Sequence, residues 1–175
     1  TNLFLSVIST LNENWFERDK WDEKTRTAVD KYKDTFYRKN YFDYSLIMQE
    51  MLNQLENNKN FADIILNKIK YLTVDEYQDT NPIQERLIHF IKQGGCNLCI
   101  VGDDDQTIYQ FRGSDPENIL TFRERYGINK YIVLGTDYRS SEAIVDIGKR
   151  VIVNNEKRLP KVMESGKLVK YEEGD

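Results

Sequence analysis

Between residues 71 and 81 the chain reads Tyr71-Leu72-Thr73-Val74-Asp75-Glu76-Tyr77-Gln78-Asp79-Thr80-Asn81, a run of strand formers that stops at two adjacent carboxylates. A short apolar run bounded in this way reads as a buried strand opening into a loop. Unpaired carboxylates are costly to carry into a core. Asp75 and Glu76 are therefore expected on the rim, at the carboxyl end of the strand.

The flanking sequence supplies elements to support such a strand. Pro82 suits the first turn of a helix, Asn81 its cap, and Gly94-Gly95 its end after Gln93. Residues 97–101 read as a second strand, and Asp115-Pro116 opens a helix through Ile119, Leu120 and Phe122 to about Tyr126. Residues 131–134 read as a third strand, and Ser140-Ser141-Glu142 opens a helix with Ile144, Val145, Ile147 and Val151 on one face. A further strand is expected near residues 168–171.

Upstream, Leu46, Ile47, Met51, Leu52 and Leu55 mark an amphipathic helix from Asp43. Residues 61–69 form another, with Ile64, Ile65 and Ile69 inward. Residues 1–40 are charged and helical in pattern, with Leu3, Phe4, Val7, Ile8 and Leu11 in one segment and Trp21, Val29, Tyr32 and Phe36 in the next. Short apolar strands alternating with helices predict an α/β fold with a parallel sheet covered on both faces, plus an N-terminal helical segment.

Composition narrows the function classes. A length of 175 residues suffices for one sizeable core, and 39% hydrophobic with 31% charged residues reads as soluble and globular. The net charge of −4 confines any nucleic-acid contact to a local patch. No apolar run approaches the roughly 20 residues of a membrane span, and no signal peptide opens the chain. Cys96 and Cys99 form a C-x-x-C at the start of a strand, but the only histidine, His89, falls on a helix as a structural residue. The pair is too few for a zinc site. It reads as two reduced, buried or half-buried thiols, with redox chemistry as the alternative, and the chain as intracellular and cytoplasmic. A first residue that is Thr1 rather than methionine leads to the expectation of a piece of a longer protein.

Ligands of parallel α/β sheets bind beyond the carboxyl ends of the strands. Two predicted strands end in acids, one at Asp75-Glu76 and the other at Gly102-Asp103-Asp104-Asp105-Gln106. As neighbours they would share one rim. A magnesium ion takes carboxylate and phosphate oxygens, and hydrolysis needs a group that orients water. Asp75 and Glu76 offer such a pairing, and Gln106 is suited to sense a terminal phosphate. Tyr109 and Phe111, two apart and beside Arg112, offer a face for a base and a cation for a phosphate. The alternative for both aromatics is the core. Gln78 and Asp79 read as loop-organising, and Asp104 and Asp105 as solvated or structural. Lys149, Arg150, Lys157, Arg158 and Lys161 form a basic run suited to a nucleic-acid backbone or to a solvated face.

Val74-Asp75-Glu76-Tyr77-Gln78-Asp79-Thr80-Asn81, then Val101-Gly102-Asp103-Asp104-Asp105-Gln106-Thr107-Ile108-Tyr109-Gln110-Phe111-Arg112-Gly113, then Tyr138-Arg139-Ser140 closely resemble the UvrD/Rep-like DNA helicases of superfamily 1. Asp43-Tyr44 resembles the Asp-Phe pair that opens a helix upstream in that family. Asn154-Asn155, Arg158 and Lys161 resemble the stretch after its Tyr-Arg-Ser motif. The similarity runs from about Asp43 to Lys167.

The resemblance implies a partial RecA-like P-loop NTPase domain using ATP and Mg2+. Asp75 would bind the magnesium and Glu76 would polarise the attacking water, itself near the metal through water. Gln106 and Arg139 would contact the γ-phosphate and Tyr138 would stack on adenine. Tyr109, Phe111 and Arg112 would touch single-stranded DNA or a duplex/single-strand junction. It further implies 3′-to-5′ movement, and a division into residues 1–42 (part of an inserted helical subdomain), 43–136 (back half of the first motor domain) and 137–175 (junction toward the second).

Three departures accompany it. The 175 residues contain no Gly-x-x-x-x-Gly-Lys-Thr/Ser loop, since neither Gly148-Lys149 nor Gly166-Lys167 has the required flanks. Motifs of the second motor domain are also absent. Asp137 stands where the family usually has asparagine, a mildly repulsive neighbour for phosphate unless it faces away. A sheet without the strand leading into that loop would leave unpaired edges and a hazard of self-association. The competing readings are a non-catalytic helicase-like module that binds DNA or protein, and a branch acting on RNA.

Overall fold

Side chains that accept backbone protons set where the helices begin. The computed structural model describes residues 2–13, 15–108, 114–115, 117–128 and 131–167. After α1 (Asn2–Glu13) and a 3-10 turn (Trp15–Lys20), Asp22 accepts from the Thr25 amide at 2.7 Å and starts α2 (Glu23–Arg38). Asp43 does the same for Leu46 at 2.7 Å and starts α3 (Tyr44–Asn57). Asn58 accepts from Phe61 at 3.1 Å and starts α4 (Lys59–Lys68). After β1 (Tyr71–Val74), α5 (Pro82–Gln93) opens with a reciprocal capping box: Asn81 accepts from the Gln84 amide and Gln84 from the Asn81 amide, both at 3.0 Å.

The chain continues through β2 (Asn97–Ile100), α6 (Glu117–Arg125), β3 (Thr136–Ser141), α7 (Glu142–Ile152) and β4 (Glu164–Lys167). β1 pairs with β2 in parallel, Tyr71 opposite Asn97 and Val74 opposite Ile100, with α5 as the crossover. β3 pairs with β4 in parallel across α7. The α/β class with parallel pairing is as expected, but the described strands form two separate two-stranded sheets.

The expected strand at residues 131–134 is absent: Ile132 is 88% and Leu134 83% exposed. The strand instead lies at Thr136–Ser141, in a polar stretch. The available pairing partner decides this rather than side-chain hydrophobicity. Glu164 donates its amide to the Gly135 carbonyl at 2.8 Å, and a Cβ at Gly135 would lie 2.5 Å from the Val162 carbonyl oxygen. The expected strand at residues 168–171 lies outside the described residues.

Along β1 and β2 exposed and half-buried residues alternate, so among the described residues one face is covered rather than two. Leu72, Val74, Leu98 and Ile100 pack on that face against Tyr77, Ile88 and Ile119. Cys96 is buried, but Cys99 points from the open face and is exposed; both are free thiols. Ile47, Ile64, Ile144, Ile147 and Val151 are exposed, so the inward stripes of their helices are narrower than the periodicity predicts. Leu46, Leu52, Leu55, Ala62 and Val145 carry the burial.

The N-terminal helices are stitched to α3. Ser9 and Ser45 share a hydrogen bond at 2.7 Å, Ser45 donates to Glu13 at 3.1 Å, Gln49 donates to the Asn12 carbonyl, and Tyr32 donates to Asp43. Arg18 forks onto Asp30 at 2.8 and 2.5 Å. His89 on α5 hydrogen-bonds Gln93 at 2.9 Å.

A polar hub fixes α6 against α5. Glu85 is 9% exposed and accepts from Tyr77 Oη at 2.5 Å, Tyr126 Oη at 2.9 Å and Arg125 Nη1 at 2.6 Å. Burial, then the adjacent Glu85 carboxylate, pushes both phenols above their ordinary range. Glu85→Ala leaves three donors without their acceptor, and hydrogen bonds to charged groups carry about 1.5–3 kcal/mol each. The expected result is a loss of about 2–3 kcal/mol in unfolding free energy, read from urea denaturation. Glu85→Gln, which keeps an acceptor oxygen, loses less.

Candidate functional site

The chain leaves β1 through a left-handed turn. Glu76 has φ 50° and ψ 43°, a conformation that costs a residue with a Cβ about 1–2 kcal/mol. Backbone bonds hold it: Tyr77 donates to the Val101 carbonyl at 3.0 Å, and Asp79 to the Glu76 carbonyl at 2.9 Å. Asp75 Oδ1 accepts from the Glu76 amide at 2.9 Å. Both carboxylates are exposed and border an open recess of about 520 Å³ whose walls include Asp79, Thr80 and Gln84. Burial, then the nearby Glu76 charge, raises the Asp79 carboxyl above its usual range. Its Oδ1 is buried without a hydrogen-bond partner. Exposed carboxylate oxygens on an open recess are the hard donors that magnesium prefers, so this rim fits that ion.

Gln78 lies beneath the rim, 1% exposed. Its Nε2 donates to Glu76 Oε2 at 2.6 Å and its Oε1 accepts from the Asp103 amide at 3.0 Å. A Cβ at Gly102 would come within 2.8 Å of that Oε1 and 2.9 Å of Ile119 Cδ1, so the glycine makes room for the amide.

The second acidic loop follows β2 and is closed by its own cations. Lys161 Nζ meets Asp103, Asp104 at 2.5 Å and Asp105 at 2.9 Å. Arg158 forks onto Asp105 at 3.1 and 2.6 Å, and the Leu159 amide donates to Asp104 at 2.6 Å. Asp103, Asp104 and Asp105 place their oxygens within 4.8 Å of one another, and the cation among them is the lysine ammonium. Asp104 and Asp105 are thus structural. Arg158 and Lys161, which the basic run offered to a nucleic-acid backbone, are spent internally. Lys157 pairs with Glu117 and Lys149 with Asp146, each at 3.1 Å. No local sequence signal marks this clamp, because its partners lie up to 58 residues apart.

Burial raises the Asp103 carboxyl, but the bonds from Lys161 and Gln106 outweigh it and hold the group below its ordinary range. Burial likewise lowers the Lys161 ammonium, and the three carboxylates outweigh it and raise it. Gln106 is exposed and turns its Nε2 onto Asp103 Oδ2 at 2.8 Å.

Tyr138 and Arg139 project from β3 in the other sheet, both exposed. Tyr138 lies over Gly166, where a Cβ would meet its ring at 2.7 Å. Asp137 Oδ1 accepts from the Arg139 and Ser140 amides at 2.7 and 2.9 Å, and those amides, Ser140's first, hold its carboxyl below the usual range. Its charge therefore faces its own backbone. Asp75, Glu76, Gln78, Asp103 and Gln106 come together. Among the described residues no hydrogen bond or ion pair links Arg139 to Asp75, Glu76 or Gln106. Tyr109, Phe111 and Arg112 lie outside the described residues.

A family model for the UvrD/REP helicase N-terminal domain matches residues 3–127, including the N-terminal helices that carry no recognisable motif. The ATP-dependent DNA helicase PcrA of Staphylococcus aureus (strain Mu50 / ATCC 700699) is 35% identical over 167 residues, covering 91% of this chain and 23% of that relative. PcrA of Staphylococcus epidermidis (strain ATCC 12228 / FDA PCI 1200) matches with the same identity and coverage, 35%, 91% and 23%. The chain thus spans 23% of the length of these relatives. Among the described residues no helix is long and apolar enough to cross a membrane.

The clamp has a definite pH signature. Asp103, with its folded value depressed, contributes stability that is present above its ordinary value of 3.8 and is lost as pH falls through the lower folded value. Lys161, with its folded value raised, contributes stability present below 10.5 and lost as pH rises through the higher folded value. Lys161→Met leaves three converging carboxylates without their central cation, at a cost of about 3 kcal/mol near neutral pH. Urea denaturation of the two proteins from pH 7 down to 3 is expected to show the gap between them narrowing as the carboxylates protonate.

Proposed function

This chain belongs to the UvrD/REP helicase family, and from that premise we propose that it carries the metal-binding and water-activating half of an ATP-driven motor moving 3′ to 5′ on single-stranded DNA. The observation that supports this reading is the paired carboxylate rim at the end of β1, open to a recess, with Glu76 held in a left-handed turn. Asp75 would hold Mg2+, with Glu76 close to it through water, and the ion would supply neutralisation of phosphate charge and polarisation of the phosphoryl group.

Glu76 orients water and accepts its proton. Gln106 exchanges its bond with Asp103 for one with the terminal phosphate. Tyr138 stacks on the adenine and Arg139 supplies a fork to the γ-phosphate when the second sheet closes on the first. Tyr109, Phe111 and Arg112 hold the strand by stacking and charge, at single-stranded DNA or a duplex/single-strand junction. Residues 1–42 belong to a helical subdomain, 43–136 to the back half of the first motor domain, and 137–175 lead toward the second. The setting is the cytoplasm.

The test is DNA-stimulated phosphate release by the protein of the complete reading frame. Glu76→Gln is expected to lower kcat by at least a hundredfold while nucleotide binding persists; an unchanged rate overturns the assignment. The 175 residues alone contain no Gly-Lys phosphate loop, and their expected turnover is below detection. Helicase-like turnover of the isolated chain that vanishes in Glu76→Gln would refute that expectation. Phe111→Ala is expected to weaken single-strand binding by roughly 1–3 kcal/mol, measured by fluorescence anisotropy in the complete protein. Unchanged binding assigns Phe111 to the core.

A further inference from the structure

We propose that Gln78 is a positioning residue that aims the Glu76 carboxylate and ties it to the peptide of Asp103, so that the two acidic loops move together. The inference rests on the hydrolytic role proposed for Glu76. It starts from how the two strands end. Beyond the last paired residues, Val101 donates to the Val74 carbonyl at 2.8 Å and Tyr77 to the Val101 carbonyl at 3.0 Å. The next rung comes from a side chain: Gln78 Oε1 accepts the Asp103 amide at 3.0 Å while its Nε2 donates to Glu76 Oε2 at 2.6 Å. The primary amide thus stands in for a strand peptide, with acceptor to one loop and donor to the other.

Only a glutamine fits both ends. Glutamate keeps the acceptor but sets a second carboxylate against Glu76. Asparagine falls short by about 1.5 Å, one carbon–carbon bond. Methionine fills the space and bonds to neither. Gly102 leaves the gap that the Gln78 oxygen occupies. From Asp103 the connection continues to Gln106 at 2.8 Å and to Lys161, the cation of the clamp. When Gln106 exchanges its bond with Asp103 for one with a phosphate, one restraint on Asp103 is released, and the change reaches the peptide that holds Gln78 and through it the carboxylate that aims water. Glu76 has a strained backbone and a solvent-exposed side chain, and among the described residues the Gln78 amide is the one hydrogen-bond donor to its carboxylate.

The experiment compares native protein with Gln78→Glu and Gln78→Met. In the complete reading frame, both variants are expected to lower kcat for ATP roughly tenfold to a hundredfold, with KM changed less than about threefold. In the 175-residue chain, hydrogen exchange at the Asp103 amide should stay slow in Gln78→Glu, which keeps the acceptor, and quicken about tenfold in Gln78→Met. A Gln78→Glu protein with a protected Asp103 amide and native kcat overturns the proposal, because Gln78 then only packs. An Asp103 amide that exchanges equally in native and Gln78→Met chains overturns it as well.

One readout is independent of turnover. The Gln78 side-chain protons should exchange about tenfold faster in Glu76→Ala than in the native chain. If the native protein hydrolyses no ATP but this acceleration is seen, the hydrolytic reading fails while the tie between Gln78 and Glu76 stands. If exchange is unchanged, the tie fails whatever the turnover.

Discussion

The parallel pairing of β1 with β2 is the constraint on which the site depends. Register alone, Val74 opposite Ile100, brings Asp75-Glu76 and Asp103–Asp105 to one edge. These segments lie about thirty residues apart in sequence and share no local signal. Two four-residue strands make few hydrogen bonds of their own. The ladder is therefore prolonged beyond the strands by Val101, Tyr77 and the Gln78 amide, and its covered face is sealed by Tyr77, Ile88 and Ile119. Tyr77 joins the two tasks: its amide continues the ladder and its hydroxyl enters the Glu85 hub that anchors α6. Local steric cost at Glu76 is sustained by these long-range bonds.

What sequence revealed follows from how local each rule is. The span of β1, the Asn81 cap, Pro82 at the first helical position and the stop at Gly94-Gly95 each depend on neighbours within about four positions, and each is found as expected. The third strand is not. Residues 131–134 carry the better strand formers, yet pairing goes to the polar stretch 136–141 because β4 lies opposite it. Likewise Ile64 and Ile147 continue a helical stripe but face solvent, since periodicity gives a direction without saying how wide the neighbouring surface is.

Within the site the same division holds. Asp75 and Glu76 are legible because an acidic pair after a strand has one natural place. The clamp is not, because Lys161 and Arg158 reach Asp103–Asp105 across more than fifty residues. In sequence those cations form part of a basic run. In three dimensions they are neutralised, and no composition count distinguishes the two conditions.

That neutralisation separates two acidic segments that look alike on paper. Three aspartates converging within 4.8 Å satisfy the elementary geometry for a metal, and more carboxylates converge there than the two at the end of β1. Yet their oxygens are already committed to Lys161, Arg158 and the Leu159 amide, so a divalent ion would have to displace a part-buried ammonium from its three partners. Asp75 is exposed and lines the open recess, as does Asp79, one oxygen of which is buried without a hydrogen-bond partner. Among the described residues the acids that border the recess carry no ion pair, while the other loop is held by its own cations. A loop closed by its own lysine moves as a unit, and Gln78 connects that unit to the carboxylate with the most freedom to be aimed.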